Sequence, residues 1–193
     1  MKNLPRPFYE RDAARVAQDL LGKVLVHRSP DGIAGGRIVE TEAYYGSRDP
    51  ASRAYRKRTK LNELMWWGGG FAFVYMVHNN WMFNVTADRE GVPGAVLIRA
   101  VEPLEGAELM ERRRGMEDER LLTSGPGRMT KAMGITYQHH RIDLTSSRTL
   151  LVSDAGPAKF RMGRSHRIGV SADLKRKLRF FVEGSRFVSR AKP

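Results

Sequence analysis

The chain has 193 residues, of which 41% are hydrophobic and 28% charged, and this composition is typical of one globular domain with its own core. Its 34 lysines and arginines exceed its 21 aspartates and glutamates, so the formal net charge is +13. Such a charge attracts polyanions, above all nucleic acid, although a basic surface without a specific partner is a simpler interpretation. Because cysteine is absent, thiolate metal sites, thiol catalysis and disulfides are excluded.

The sequence also predicts where the protein acts. No segment carries the roughly 18 consecutive apolar residues that a membrane-spanning helix needs. Residues 1–7 lack the apolar core of a secretory signal. We therefore expect a single domain over residues 1–193 that has no membrane partner and acts as a monomer in the cytoplasm, associated with the nucleoid.

The first predicted elements are a helix and a β-hairpin. Residues 12–21 have the apolar spacing of an amphipathic helix, which a glycine can end. Residues 23–28 predict a short strand, residues 29–32 a turn, and residues 33–45 a returning strand.

The returning strand contains two acidic residues, which are unusual in strand interiors. Because side chains alternate along a strand, Glu40, Glu42 and Tyr44 are expected on one face and Val39 on the other. Two carboxylates roughly 7 Å apart repel each other, and burial of both would raise the pKa of one. Such a carboxylate can act as a general base, or the pair can bind Mg²⁺. Two solvated side chains on an exposed face are the alternative.

Residues 46–62 form a polar connection rich in basic side chains. A connection of this length without helix or strand is more often functional or mobile than idle. Its candidates for phosphate contacts are Arg56, Lys57 and Arg58, although a solvated run of charges is an equal alternative.

Residues 71–85 predict a second hairpin. Asparagine tolerates positive φ, so positions 79–80 can form a two-residue turn. That turn would pair Tyr75 with Asn84 on one face of the hairpin.

At the tip, the same turn would set His78 opposite Trp81. An enzyme that acts on a base in duplex DNA must rotate the base out of the stack and hold it between flat side chains. Tyr44, Tyr75 and Trp81 suit this purpose, and a hairpin tip suits the wedge residue that fills the gap. Each of these aromatic residues, taken singly, is more often part of a core.

Residues 95–101 predict an apolar strand that Arg99 interrupts. Arginine is rarely buried without a partner, and a carboxylate is the expected one. Glu42 or Glu40 is the attractive candidate, although two later glutamates are closer in sequence. A purely structural ion pair is the alternative role for Arg99.

Residues 123–128 predict the start of a helix, with hydroxyl caps and Pro126 in its first turn. The N–H groups and dipole of that helix, with Gly125, Gly127 and Arg128, could bind a phosphate group. A capped helix without a ligand is equally consistent with this segment.

The remaining elements are a helix over residues 105–114 and two short strands over residues 167–171 and 178–183. The five histidines show no zinc-ligand spacing, and the pair at positions 139–140 is expected at the surface.

Taken in order, several segments resemble the alkyladenine (3-methyladenine) DNA glycosylase family. They are residues 36–44, which read GRIVETEAY, and residues 49–52, 73–75, 84–85, 96–106, 124–127 and 167–170. The resemblance covers nearly the whole chain, and residues 36–44 and 96–106 are quite specific. It implies a single α+β domain built on a curved, mainly antiparallel β-sheet with surrounding helices and a protruding β-hairpin.

The resemblance also implies an activity in base excision repair. The enzyme would hydrolyse the N-glycosidic bond of damaged purines in double-stranded DNA, such as hypoxanthine, ethenoadenine and alkylated adenine, without cofactor, metal or Schiff base. Glu42 would activate the attacking water, and Arg99 would place that glutamate and water. Tyr44 and Tyr75 would sandwich the extruded base, and Asn84 would disfavour the 2-amino group of guanine.

Two positions depart from the family's pattern. Where the family has a histidine against one face of the base, this chain has Arg53, whose side chain is planar but always charged. We predict that Arg53 disfavours cationic alkylated purines relative to neutral lesions. The family's wedge is a tyrosine, whereas this chain has His78 at that place and Trp81 opposite it, so either is a candidate intercalating residue.

Two other functions stay open from the sequence. The changes at Arg53 and His78 allow a catalytically weak DNA-binding protein of the same fold that recognises damaged duplex. A metal-dependent nuclease could use Glu40 and Glu42, but such enzymes need further acidic residues around the site.

Overall fold

The computed structural model describes residues 2–156 and 159–189. Within these residues, one curled antiparallel sheet of eight strands forms the centre of the fold. The strands are Val24–Ser29 (β1), Gly32–Tyr44 (β2), Ala72–Val77 (β3), Asn80–Ala87 (β4), Gly94–Glu105 (β5), Leu150–Ser153 (β6), Met162–Ser165 (β7) and Arg179–Val182 (β8). Six of them are hydrogen-bonded in the order β3-β4-β5-β2-β1-β6. β8 pairs with the second half of β2, and β7 pairs with β8.

Short helices surround this sheet. They are Arg6–Tyr9 (α1), Ala13–Leu20 (α2), Ala107–Arg114 (α3), Glu119–Leu122 (α4) and Pro126–Met133 (α5), with 3₁₀ turns at Glu63–Trp66 and Tyr137–His139. The Asp12 side chain caps α2 by accepting the backbone N–H groups of Ala14 and Arg15, and the apolar face of α2 is buried. The expected α+β class is therefore confirmed. None of the helices in the described part of the chain has the length and apolar character needed to cross a membrane.

β2 lies at the centre of the sheet at the point where its acidic residues occur. Residues 40–44 pair with β5 on one side, and residues 40–42 pair with β8 on the other. The register of β2 against β5 shifts on both sides of Glu40, which marks a β-bulge. Val39 packs against Phe187, in the same C-terminal segment that bonds Glu40. The expectation that Val39 lies on the face opposite Glu40 is therefore wrong, because the bulge breaks the alternation of side chains.

The second hairpin, β3–β4, has the expected two-residue turn one position earlier than predicted. His78 and Asn79 both adopt positive φ, 45° and 59°, as a hairpin turn of this kind requires. The predicted direct pairs are therefore wrong, because Tyr75 lies opposite Met82 and not opposite Asn84.

Two other local expectations are also wrong. Residues 167–171 form no strand, because the N–H groups of Arg167 and Ile168 bond to the carboxylates of Asp173 and Glu42 instead of a neighbouring strand. The predicted hydroxyl caps of α5 are wrong as well, since Gly125 occupies the cap position and the Thr123 hydroxyl bonds to a strand carbonyl. The strand expected at residues 178–183 is confirmed as β8.

Two histidines, His27 and His139, connect β1 to the end of α5. The Nδ1 atom of His27 lies 2.7 Å from the Met133 carbonyl, and the Nε2 atoms of His27 and His139 lie 2.9 Å apart. Because a carbonyl only accepts, His27 carries its proton on Nδ1 and accepts from His139 at Nε2. The Nδ1 atom of His139 is then free to accept the Thr136 N–H at 3.1 Å. The pairing of the two rings requires His27 to be neutral, because its Nε2 atom has to accept. His139, expected at the surface, is half-buried.

Protonation of His27 should weaken this link, because its Nε2 atom could then no longer accept from His139. Burial is the main cause that lowers the pKa of both His27 and His139 below the ordinary histidine value, with Arg113 adding to the effect on His27. The unfolded chain therefore binds more protons than the folded one below about pH 6.5. We expect the contribution of this pair to the free energy of unfolding to fall as the pH is lowered from 7.5 to 5.5, as measured by urea denaturation of the wild type and of a variant that lacks both rings at each pH.

The double variant His27→Gln/His139→Gln should be less stable at pH 7.5 and should show a smaller loss between the two pH values. His140, whose pKa is also lowered by burial, and Asp88, whose pKa is raised by burial to about 6, contribute with opposite signs in both proteins, so only the difference between the proteins reports on the pair. An unchanged pH slope in the double variant would contradict the assignment of the effect to this pair.

Candidate active site

Glu40 is a fully buried carboxylate that accepts four hydrogen bonds. Its Oε1 atom accepts from Arg99 Nε at 2.8 Å, Arg179 Nε at 2.7 Å and Ser189 Oγ at 2.7 Å, and its Oε2 atom accepts from the Ser189 N–H at 2.7 Å. Two arginines therefore compensate its charge. Glu40 therefore holds β5, β8 and the C-terminal segment together.

Glu42, two residues further on, is equally buried but has fewer donors. Oε1 accepts the Ile168 N–H at 2.7 Å, and Oε2 accepts the Tyr44 hydroxyl at 2.8 Å. Burial is the main cause that raises the pKa of Glu42, and the charge of Glu40 adds to it, whereas Arg99 and these two hydrogen bonds lower the pKa. The net effect moves the Glu42 carboxyl toward the range in which a general base works near neutral pH.

Arg99 connects the two glutamates. Its Nη1 atom lies 3.1 Å from Oε2 of Glu42, while its Nε atom donates to Glu40. The expectation that a carboxylate of β2 partners Arg99 is confirmed for both candidates. Glu102, one of the alternatives, forms an ion pair with Arg37 instead.

A cavity of about 500 Å³ lies beside these residues. Its size suits a small ligand or a single nucleobase. All three groups that bond Glu42 line it, although Glu42 itself lies just behind the wall. The lining residues are Tyr44, residues 50–53, Tyr75, Val77, His78, Met82, Leu97, Arg99, Pro126 and residues 168–171.

The two tyrosines predicted to bind a base both line this cavity. The Tyr44 ring is held by its hydroxyl on Glu42, and the Tyr75 ring packs 4.9 Å from Phe73. Arg53 also lines the cavity, with its guanidinium 4.5 Å from the centre of the Tyr75 ring. Burial raises the pKa of Tyr75, whereas Arg53 and Asn84 lower it.

Asn84 is buried behind Tyr75. Its Nδ2 atom donates to the Phe73 carbonyl at 3.1 Å, and it is not among the described residues that line the cavity. Asn84 lies opposite Phe73, and Phe73 and Tyr75 are two residues apart on β3. Asn84 and Tyr75 therefore share a face of the hairpin. The role expected for Asn84 at the floor of a base pocket stays a prediction.

The structure places the two candidate wedge residues differently. His78 is exposed in the hairpin turn and lines the cavity. Trp81 packs against the main core, and its ring stacks 6.0 Å from Tyr137. The Thr130 hydroxyl of α5 donates to the Trp81 carbonyl at 2.8 Å. Of the two side chains, His78 is therefore the one presented at the mouth of the cavity.

The segment predicted to bind phosphate at the start of α5 has a packing role as well. A side chain at Gly127 would lie 2.6 Å from Asn80, so glycine lets the helix approach the hairpin. Gly125 has φ 121°, which also favours glycine. Arg128 is exposed and bonds to Ser124, so it stays a candidate for phosphate contacts.

The basic residues of the loop after β2 are exposed. Arg56, Lys57 and Arg58 all face solvent, and the Arg58 guanidinium lies 5.5 Å from the Trp66 ring. Their expected contacts with phosphate stay a prediction. In residues 2–156 and 159–189, no group of three or more histidine, aspartate or glutamate side chains is placed to hold a metal ion.

Sequence reasoning missed two buried arginines at this site. Arg179 on β8 bonds to Glu40, and Arg167 bonds to Asp49 and Asp173 below the Tyr44 ring. The signal for Arg179 was the same as for Arg99, namely an arginine inside an apolar strand. Arg167 lies in a loop, where the sequence offers no comparable signal.

Comparison with known proteins identifies the family. Residues 7–186 match the profile of the family described as Methylpurine-DNA glycosylase (MPG). A protein of Methanoculleus marisnigri is 42% identical over 97% of this chain and 98% of its own length, and one of Bacillus subtilis is 41% identical over 97% and 96%. A third, from Chlorobaculum tepidum, is 38% identical over 100% of this chain and 93% of its own length. Each of the three is named as a 3-methyladenine DNA glycosylase. The chain therefore belongs to the methylpurine-DNA glycosylase family of base-excision repair enzymes.

Proposed function

We propose that this protein excises damaged purines from double-stranded DNA by flipping the base into the cavity and hydrolysing its N-glycosidic bond with a water activated by Glu42. The observation that carries the proposal is the position of Glu42. It is a buried carboxylate with a raised pKa, and each group that bonds it also lines a cavity with two tyrosines. Membership of a DNA glycosylase family agrees with this chemistry.

In the proposed reaction, Glu42 takes a proton from a water molecule as the water oxygen attacks C1′ of the flipped nucleotide. The bond between C1′ and the purine nitrogen breaks, and its electron pair leaves with the base. Glu42 then gives its proton to solvent, and a base that was neutral in the nucleotide takes up a proton as it leaves, so the products are the free base and an abasic site. Arg99 keeps the carboxylate in place through its 3.1 Å contact and favours the ionised form that the base step needs.

Tyr44 and Tyr75 would hold the flipped base by stacking. Both rings are fixed before any ligand enters, because Tyr44 bonds to Glu42 and Tyr75 packs on Phe73. Rigid side chains lose little conformational entropy on binding. Stacking alone accepts any purine, so selectivity has to come from the polar groups around the rings and from the ease with which a damaged base leaves the duplex.

The Glu42→Gln variant tests the catalytic assignment. Duplexes containing hypoxanthine, ethenoadenine or 3-methyladenine should give strand breaks only after alkali treatment, as an abasic product requires. We expect Glu42→Gln to slow single-turnover excision by about 10²- to 10⁴-fold, the range for loss of a general base. Glu102→Gln, which alters an exposed ion pair on the neighbouring strand, should retain the wild-type rate.

The same experiment separates the alternatives. A protein that binds lesion duplex without releasing the base would support a catalytically weak DNA-binding protein. Breaks that need no alkali and disappear with a chelator would support a metal-dependent nuclease instead.

Arg53→His tests the proposed lesion preference. The Arg53 guanidinium lines the cavity, so a cationic base would face a second positive charge there. We expect the wild type to prefer neutral hypoxanthine over 3-methyladenine, and the variant at pH 8, where histidine is neutral, to lose at least about fivefold of that preference. The measured quantity is the ratio of the two single-turnover rate constants.

Arg58→His is the matched control, because Arg58 lies on the same loop and also contacts an aromatic ring but does not line the cavity. It should leave the ratio unchanged. An unchanged ratio in Arg53→His would contradict the proposed effect of the Arg53 charge.

His78→Ala tests the choice of wedge residue. If His78 fills the gap left by the flipped base, its loss should weaken binding to lesion duplex by about 1–3 kcal/mol, the usual range for stacking on a base. Binding is measured by titration of a labelled duplex with enzyme that also carries Glu42→Gln. Val92→Ala, at an exposed residue that does not line the cavity, should have no effect. Loss of affinity in Trp81→Phe but not in His78→Ala would reverse the assignment.

A further inference from the structure

Arg167 is a buried arginine whose guanidinium connects three segments of the chain. It forms a fork–fork pair with Asp49 at 2.6 and 2.7 Å, and it donates to Asp173 at 2.6 and 2.9 Å. Its Nη1 atom also donates to the Ala43 carbonyl at 3.0 Å. The side chains of Arg167 and Asp49 both have 0% exposure. These three charged residues form what we call the Arg167 network.

Each segment held by the Arg167 network provides part of the cavity wall. Asp49 also accepts the N–H groups of Tyr45 and Ala51, and so fixes the loop whose residues 50–53 line the cavity. The Ala43 carbonyl belongs to the peptide that precedes Tyr44 on β2. Arg167 itself is followed by residues 168–171, which form the facing wall.

Two contacts lead from the Arg167 network to the reacting groups. The guanidinium lies 4.6 Å from the centre of the Tyr44 ring, within the range of a cation–π contact. The next N–H along the chain, that of Ile168, donates to Glu42 at 2.7 Å. A shift of Arg167 would therefore move both the ring that would stack on the base and the donor that holds the carboxylate.

Stability alone is a weak reason for such a cluster. A buried ion pair often contributes no more than apolar residues of similar volume, because desolvation of the charges offsets their attraction. The planar fork of arginine, by contrast, fixes the direction of up to five donors, which a lysine cannot do. The geometry around Arg167 is therefore suited to holding three segments in one fixed arrangement.

We propose that Arg167 is a positioning residue for excision, which sets the Tyr44 ring against the flipped base and the Ile168 N–H against Glu42. The inference rests on the proposed function, since it assigns Arg167 a role in that reaction. It names no new contact with the substrate.

The test uses Arg167→Lys, which keeps the charge and loses the fork. We expect single-turnover excision of hypoxanthine to fall on the order of 100-fold, as a displacement of about 1 Å at a reacting group can cause. The affinity for undamaged duplex should stay within twofold of the wild type. Because the Ile168 N–H stabilises the ionised carboxylate, its displacement should also move the acid limb of the pH–rate profile to higher pH. Arg99 and Glu40, which also face Glu42, stay in place in this variant. A displaced Tyr44 hydroxyl, the other donor to Glu42, would move the acid limb in the same direction.

Arg6→Lys is the matched control. Arg6 makes the same three kinds of contact, to the Asp143 carboxylate, the Gly69 carbonyl and the Phe71 ring, but none of these residues lines the cavity. It should lower thermal stability while leaving the excision rate and the acid limb unchanged. Equal effects of Arg6→Lys and Arg167→Lys on rate and pH profile would overturn the proposal.

Asp173→Asn keeps the test valid if Arg167→Lys does not fold, because it leaves the Arg167–Asp49 pair intact. It should produce a smaller shift of the acid limb in the same direction, and an unchanged limb would overturn the proposal. Titration of the Glu42 carboxyl by NMR gives a readout that needs no activity. If the wild type excises no lesion, the proposed function is wrong. If the Glu42 titration is unchanged in a folded Arg167→Lys or Asp173→Asn variant, the positioning role of Arg167 is wrong, whatever the activity.

Discussion

The burial of two carboxylates on β2 is the constraint on which the arrangement of the other elements depends. Ionised groups without solvent exposure persist in a protein only when cations and hydrogen-bond donors surround them. β5 supplies Arg99 to both glutamates, while β8 and the C-terminal segment supply Arg179 and Ser189 to Glu40. The pairing of β8 with residues 40–42 thus places a cation where the sheet would otherwise contain an uncompensated charge.

The same arrangement makes the two glutamates chemically different. Glu40 accepts four hydrogen bonds, three of them at Oε1 and one at Oε2, from two arginines and Ser189. Glu42 accepts one hydrogen bond at each oxygen, and its Oε2 atom also lies near Arg99. All three groups that contact Glu42 line the cavity. Glu40 therefore fixes two arginines and the C-terminal segment, whereas Glu42 is held by groups of the cavity wall.

The ion pair between Arg99 and a carboxylate of β2 was predicted from one rule about single residues. An ionisable side chain inside an apolar strand needs a partner, and that rule predicted a carboxylate for Arg99, with Glu42 or Glu40 as the attractive candidate and two later glutamates as alternatives. The two tyrosines of the cavity came from the resemblance and from the alternation along their strands. The sheet and its hairpins followed from apolar runs separated by turn residues.

The parts that the sequence did not predict depend on contacts between distant segments. The bulge beside Glu40 occurs where β2 pairs with β5 on one side and β8 on the other, and no residue type in β2 marks it. The hairpin turn lies one position earlier than predicted, at His78 and Asn79, which both adopt positive φ. Asn80 is therefore in the strand, where its side chain bonds to the His78 carbonyl and lies close to Gly127 of α5. Such pairs are set by packing across the fold and not by local propensity.

The net charge of the whole protein differs from the charges around the cavity in how far carboxylates compensate it. The net charge of +13 provides a long-range field for a polyanion. Around the cavity, Arg99 and Arg167 each contact carboxylates, so their charges are largely compensated. Arg53 contacts the face of Tyr75, and an aromatic ring compensates a cation far less than a carboxylate does. Of these three arginines, Arg53 therefore has the least compensated charge beside the cavity, and this difference is the physical basis of the lesion preference proposed for it.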